Sequence, residues 1–183
     1  MTSIRSIFLY LFGWLIFFFI GPFVLIIIFI YPSSAYRLLI LWCKFMVTVF
    51  GCSINSKSKV PENETFVIMA NHESFLDVFA IPSVFTGKFS AVAASKNFKI
   101  PIYSLFLKKL KVISIDRNNR EQAIKGITQA EELLQQGYHI VILPEGTRTQ
   151  TGELGKFKKG GFHLALNTNA RILPIVTKGL FQI

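Results

Sequence analysis

The first 61 residues contain no aspartate and no glutamate, and from Ser6 to Tyr36 there is no charge of either sign. Cysteine is nearly absent too: Cys43 and Cys52 are the only two, without metal-ligand spacing or a nearby histidine. They read as small hydrophobes, which leaves no disulfide framework and no zinc site. No Gly-x-Ser-x-Gly elbow or placed cysteine offers itself to a covalent acyl-enzyme. The chain also lacks a Gly-x-x-x-x-Gly-Lys-Ser/Thr loop and a Gly-x-Gly-x-x-Gly turn for nucleotides. Its net charge of +10 would suit nucleic acid, yet no nucleic-acid module is recognisable and the long apolar start argues against that partner.

What is present begins with hydrophobicity. Apolar residues make up 51% of the 183 and mean hydropathy is +0.47, and the excess is local. Ile7 to Tyr31 is almost all Ile, Leu, Phe and Val. As helix it extends about 37 Å, beyond the roughly 30 Å hydrocarbon core of a bilayer. The run exceeds the apolar part of a signal peptide, about 7–15 residues, and lacks a convincing cleavage site, so a retained membrane anchor is expected. Gly21-Pro22 interrupts it, and a second apolar stretch follows from Leu38 to Ile54, broken only by Lys44. One kinked span plus an interfacial helix, or a two-helix hairpin in one leaflet, both satisfy this pattern. Arg37, Lys44, Lys57 and Lys59 follow the apolar run, which by the positive-inside tendency puts the rest of the chain on the cytoplasmic side, at the inner membrane if the source is bacterial. A basic protein there is drawn to anionic lipid headgroups.

The length suits one domain with a real core. Residues 1–56 are expected to anchor and 57–183 to form that domain. After the polar break from Asn55 to Thr65, apolar runs at Phe66–Ala70, Phe89–Ala94, Lys111–Ile115, His139–Leu143 and Ile172–Val176 read as strands, most suited to burial on both faces. Between them the clearest helix is Asn118–Gln136, with Ile124, Ile127, Ala130 and Leu134 on one stripe and Gly137 placed to end it. The expected fold class is therefore α/β: a mostly parallel central sheet flanked by helices, preceded by membrane-associated N-terminal helices.

Ligands of such sheets bind beyond the carboxyl ends of the strands. The first exit carries Asn71-His72-Glu73-Ser74-Phe75-Leu76-Asp77. His72 is a natural general base at neutral pH, and Asp77 is placed to orient and charge-stabilise it. On one continuous helix residues five apart point about 140° away from each other, so His72 must precede the helix and Asp77 occupy its first turn. Ser74 with an acid three positions on also fits a helix cap, and that reading of Asp77 stays open. The third exit holds Asp116-Arg117-Asn118-Asn119-Arg120. The fourth holds Pro144-Glu145-Gly146-Thr147-Arg148-Thr149, with the look of a rigid anion-binding turn. Gly146 permits a tight path, Thr147 offers a hydroxyl and Arg148 a planar fork suited to phosphate, with Arg117 as a second cation. A phosphorylated substrate presented to a general base follows from that set. Alternatively Arg117 and Arg120 merely decorate a helix start and Arg148 pairs with Glu145. His139 and His163 read as structural, and Lys156-Phe157-Lys158-Lys159-Gly160-Gly161 as a solvated or headgroup-facing loop.

Several of these blocks together resemble the glycerolipid acyltransferases. Asn71-His72-Glu73-Ser74-Phe75-Leu76-Asp77 is similar to that family's Asn-His-x4-Asp block, and Leu143-Pro144-Glu145-Gly146-Thr147-Arg148-Thr149 to its Phe-Pro-Glu-Gly-Thr-Arg-Ser block. Ile115-Asp116-Arg117 resembles the intervening Phe-Ile-Asp-Arg block, Phe157 to Phe162 the stretch after Glu-Gly-Thr-Arg, and Ile172-Leu173-Pro174-Ile175 the final proline-containing strand. The nearest branch in appearance is that of the bacterial-type 1-acyl-sn-glycerol-3-phosphate acyltransferases. The resemblance implies that His72 deprotonates the sn-2 hydroxyl of lysophosphatidic acid, which attacks the thioester of acyl-CoA or acyl-carrier protein and yields phosphatidic acid. It implies that Asp77 holds the imidazole, and that Arg117, Glu145, Gly146, Thr147 and Arg148 position the acceptor. No metal or other cofactor is implied. Another lysolipid acceptor, or a catalytically silent lipid-binding protein of the same fold, are the alternatives. Lys111 and Ser114 stand where the family usually has glycine and an aromatic residue, and the end at Ile183 fits either a short or a truncated member.

Overall fold

A computed structural model describes residues 4–31, 34–56, 60–61, 64–116 and 119–182. The chain divides into two compact units, one made of Met1–Pro61, Glu73–Thr86 and Thr177–Ile183, the other of Glu62–His72 and Gly87–Val176. The division is not a single cut, because the segment after His72 packs with the N-terminal helices.

The first unit is built on α1 (Ile4–Ile30) and α2 (Ala35–Val49). Pro22 lies within α1 without ending it. Residues 7–30 are long and apolar enough to cross a membrane, with mean hydropathy 2.8 and only 17% of the window buried. The buried stripe of α1, Gly13, Gly21 and Ile28, recurs at seven- and eight-residue steps and so keeps one face toward its neighbours. A Cβ on Gly13 would lie 2.5 Å from the Phe50 ring, and small residues of this kind let helices pack closely. The facing stripe of α2 buries Leu39, Ile40, Cys43, Met46 and Val47. Cys43 donates its thiol to the Val78 carbonyl at 3.9 Å. Burial pushes that thiol up to about 12, so both structure and chemistry make it an inert core residue.

The short helix α3 (Asp77–Ala80) belongs to this unit because its aromatics are seated there. Phe75 lies 5.1 Å from Trp14, and Phe79 lies 5.8 Å from Phe17 and 6.0 Å from Phe50, ring centre to ring centre. Such aromatic pairs add about 0.5–1.5 kcal/mol each beyond the area they bury.

The second unit is a five-stranded sheet in the order β3-β2-β4-β1-β5, formed by β1 (Phe66–Ala70), β2 (Phe89–Ala94), β3 (Ile113–Ile115), β4 (His139–Ile142) and β5 (Arg171–Ile175). All its pairings are parallel. Strand β1, paired on both sides, is buried throughout, as its unbroken apolar run requires. At the edge, β5 is half exposed and accommodates Pro174, which has no N–H to give a second neighbour. The expected strand from Lys111 begins two residues later. Lys111 closes α4 (Pro101–Lys109) in the left-handed region at φ 55°, with its N–H on Lys108 O and that of Val112 on Leu107 O, a Schellman stop. A glycine takes this conformation without the roughly 1–2 kcal/mol penalty a side chain brings. Likewise β4 ends at Ile142 because Leu143 already opens the next turn.

The amphipathic helix forms as α5 (Arg120–Gln135), its N-cap Asn119 accepting Gln122 N–H at 3.1 Å and Gly137 following at φ 83°. Helix α6 (Gly160–Thr168) packs on β1, where Gly161 lets it approach Met69 and Ile142. His139 is indeed structural: buried, stacked on Phe66, its Nδ1 accepts the Phe66 N–H at 3.2 Å. His163 is exposed on α6.

Candidate active site

Strands β1 and β4 are neighbours in register, with Met69 beside Ile142. Three residues beyond each partner lie His72 and Glu145, so parallel pairing alone brings the two exits together. The Leu143–Gly146 turn is written in its residues. Pro144 holds its own φ near that of a turn, Gly146 adopts φ 75°, and the Gly146 N–H reaches Leu143 O at 2.9 Å.

Glu145 is buried, and each of its carboxylate oxygens receives a backbone N–H. Oε1 accepts from His72 at 2.8 Å and Oε2 from Gly155 at 2.7 Å. These are charge-assisted bonds, about twice as strong as neutral ones. Thr149 N–H donates to the His72 carbonyl at 2.8 Å. The peptide groups of His72 are thus held on both sides by the loop that follows β4. Gly155 is glycine for lack of room: a Cβ there would sit 2.9 Å from Glu145 Oε2. Thr149 folds its own loop, its Oγ1 accepting Gly152 N–H at 3.0 Å and donating to Glu153 O at 2.8 Å.

Thr147 and Arg148 are exposed beyond this clamp. Among the described residues the Arg148 guanidinium makes no hydrogen bond or ion pair, and Glu145 does not pair with it, since its oxygens serve the backbone. Arg117 and Asn118 lie outside the described residues, as do Lys57 and Lys59.

Directly after His72 the chain enters the first unit. There Asp77, buried at 1% exposure, accepts the N–H groups of Glu73 at 2.9 Å and Ser74 at 3.0 Å on Oδ2. Asp77 stands in the first helical turn, as the five-residue spacing demanded. The cap differs from the expected one: Ser74 Oγ accepts Leu76 N–H, while Asp77 reaches back in the reverse half of a capping box. Glu73 in turn accepts the N–H groups of Leu180 and Phe181.

Thr149, Gly155 and Glu73 are contributions that residue type did not reveal. The first two act through backbone N–H groups, which every residue but proline carries. Their only trace in the sequence is proximity to Glu145. Chemically, the sheet unit offers a half-buried histidine, fixed in its backbone by a loop that also carries an exposed arginine.

Comparison with known proteins places the chain in a family. Residues 52–178 match the family described as Acyltransferase. The chain is 33% identical over 141 residues to a 1-acyl-sn-glycerol-3-phosphate acyltransferase of Pseudomonas aeruginosa, covering 73% of this chain and 54% of that one. It is 32% identical over 146 residues to a chloroplastic 1-acyl-sn-glycerol-3-phosphate acyltransferase of Arabidopsis thaliana, covering 78% and 40%. With the alpha form from Homo sapiens it shares 30% identity over 141 residues, 76% of this chain and 50% of that one. The chain therefore spans about half the length, or less, of these curated relatives. In fold it is similar to the crystal structure of the 1-acyl-sn-glycerophosphate (LPA) acyltransferase PlsC from Thermotoga maritima, with a TM-score of 0.80, 24% identity, and coverage of 99% of this chain and 77% of that one. Sequence blocks, sheet topology and the extent of the family match lead to one conclusion: this chain belongs to the acyltransferase family.

Proposed function

We propose that this chain is a membrane-associated acyltransferase that esterifies the sn-2 hydroxyl of 1-acyl-glycerol-3-phosphate with a fatty acyl group from acyl-CoA or acyl-carrier protein, releasing phosphatidic acid. One observation carries the reading: a histidine whose peptide groups are clamped by a Glu-Gly-Thr-Arg-Thr loop at adjacent exits of a parallel sheet.

In the reaction His72 accepts the proton of the acceptor hydroxyl as its oxygen attacks the thioester carbonyl. The C–O bond forms, the C–S bond breaks, and the imidazolium returns the proton to the departing thiolate. Asp77 stabilises the charged imidazole and its tautomer, the part a carboxylate takes beside a catalytic histidine. Arg148, exposed at the loop tip, and Arg117 bind the acceptor phosphate, for which a guanidinium fork is suited. Gly146 and Thr147 line the acceptor with backbone and hydroxyl groups. Glu145 serves the acceptor site indirectly, by holding the loop and His72 in one geometry. No metal or other cofactor takes part in these steps.

Both acceptor and product are lipids, so a site at a bilayer surface fits the chemistry. In this reading α1 enters the membrane and the sheet unit lies on the cytoplasmic side, where Arg37 and Lys44 follow the apolar run. The test gives membranes carrying the wild type or His72→Ala a labelled acyl donor and a panel of lysolipids. Esterification of lysophosphatidic acid by the wild type, and its loss in the variant, is the expected result. An alanine variant of equal activity would refute the mechanism, and a preference for a non-phosphorylated acceptor would refute the substrate.

A further inference from the structure

The loop that returns from the site to α6 is both basic and greasy. Lys156, Lys158 and Lys159 are exposed, and Glu153 is the only exposed acid within it. Among them in the loop, Leu154 is 65% exposed and Phe157 41%, and Phe162, in the first turn of α6, is 37% exposed. The Phe157 and Phe162 rings stack at 6.5 Å, so their apolar surface is gathered into one patch. The loop is also tied to the catalytic strand exit. Gly155 N–H is bonded to Glu145 at 2.7 Å and Lys158 N–H to Pro144 O at 2.8 Å.

We propose that Leu154, Lys156, Phe157, Lys158, Lys159 and Phe162 form a docking surface for an anionic lipid bilayer, set beside the strand exit that carries His72. Charge decides the partner's sign, and the apolar residues decide its nature. A small free anion needs donors alone and gives no reason for a leucine and two phenylalanines to stand in water, whereas a bilayer interface accepts both lysine heads and aromatic rings. Each lysine held near such a surface biases the docked state about fivefold, so the three together bias it about a hundredfold. Docking through this loop presents the neighbouring His72 exit to lipid headgroups. The proposal rests on the membrane-surface reading above, but it fails separately, since acyl transfer can persist when the loop does not dock.

The experiment is hydrogen–deuterium exchange on the full chain reconstituted into vesicles, reading the peptide around residues 153–163. One set of vesicles is pure phosphatidylcholine and the other contains phosphatidylglycerol. The wild type should exchange there tenfold or more slowly on the anionic vesicles, with the difference collapsing near 0.5 M salt, where the Debye length is a few ångströms. The triple variant Lys156→Glu, Lys158→Glu, Lys159→Glu should show equal exchange on both. Phe157→Ser should lose part of the protection at unchanged salt dependence, and protection of the β1 peptide certifies that each variant is folded. Equal wild-type exchange on both vesicles overturns the proposal. So does equal protection on neutral vesicles with inorganic phosphate, which would mark a small-anion site. Acyl transfer measured on the same vesicles tells whether the enzymatic reading stands or falls with it.

Discussion

Replacing Glu145 with glutamine tests the clamp directly, because it keeps size and removes charge. Two hydrogen bonds to a carboxylate are worth about 1.5–3 kcal/mol each, against about 1 kcal/mol for a neutral one. Glutamine has one oxygen for the two N–H groups that Glu145 now accepts, those of His72 and Gly155. Its amide nitrogen would confront the other N–H, donor against donor. The loss at the clamp is therefore about 2–4 kcal/mol, enough to let the His72 peptide move. A displacement of the catalytic group by about 1 Å costs about 100-fold in rate. The expected outcome in a vesicle assay with labelled acyl donor is a kcat lower by about two orders of magnitude, with the acceptor KM changed less than about twofold. Gly155→Ala should act in the same direction more weakly, since its new Cβ would press on Oε2 from 2.9 Å. Melting curves separate this from unfolding: for a chain of this size each kcal/mol lowers Tm by about 2–4 °C, leaving a folded protein to assay. An acceptor KM raised tenfold at unchanged kcat would refute the reasoning and return Glu145 to direct acceptor binding.

The other predictions concern separate parts of the molecule. Arg148→Ala should raise the acceptor KM by roughly tenfold or more, as expected on losing a charge-assisted contact of about 1.5–3 kcal/mol, and leave the donor KM unchanged; equal effects on both would count against a phosphate role. Gly13→Val should lower the thermal stability of the detergent-solubilised chain by about 1–3 kcal/mol through overpacking against Phe50, whose ring stands 2.5 Å from the Cβ position; an unchanged melting point would show that the helices are not so packed. Burial raises both thiols and takes Cys43 to about 12, so thiolate is scarce at pH 8 and maleimide should label Cys52 well before Cys43, read by mass spectrometry; equal rates would contradict the packing of α2.

Much of the fold was legible where local rules agree with burial. The runs at Phe66–Ala70 and Phe89–Ala94 form strands with the expected limits, since a β-rich apolar run bounded by polar or turn residues has little other use. The strand expected from Lys111 shows where such reading stops. A lysine gives no hint that it will adopt a left-handed helix stop, and only the packing of α4 before β3 explains why it does. The apolar N-terminal run was plain, whereas the attachment of Phe75 and Phe79 to that unit was not, because aromatic pairing joins residues more than 50 positions apart.

The residues of the site divide in the same way. By itself the sequence determined the chemical groups: a histidine before a helix, an aspartate in its first turn, and a Pro-Glu-Gly turn leading to an arginine. Each depends on interactions within a few residues, which composition and spacing encode. Only the tertiary structure decided which groups the Glu145 carboxylate binds. From its residues it read as a partner for Arg148, whereas the parallel register of β1 with β4 brings it under the His72 peptide, and Gly155 closes on its other oxygen. The reason is physical: the groups it binds are backbone N–H donors, identical at nearly every position, and only the folded chain selects which two of them meet the carboxylate.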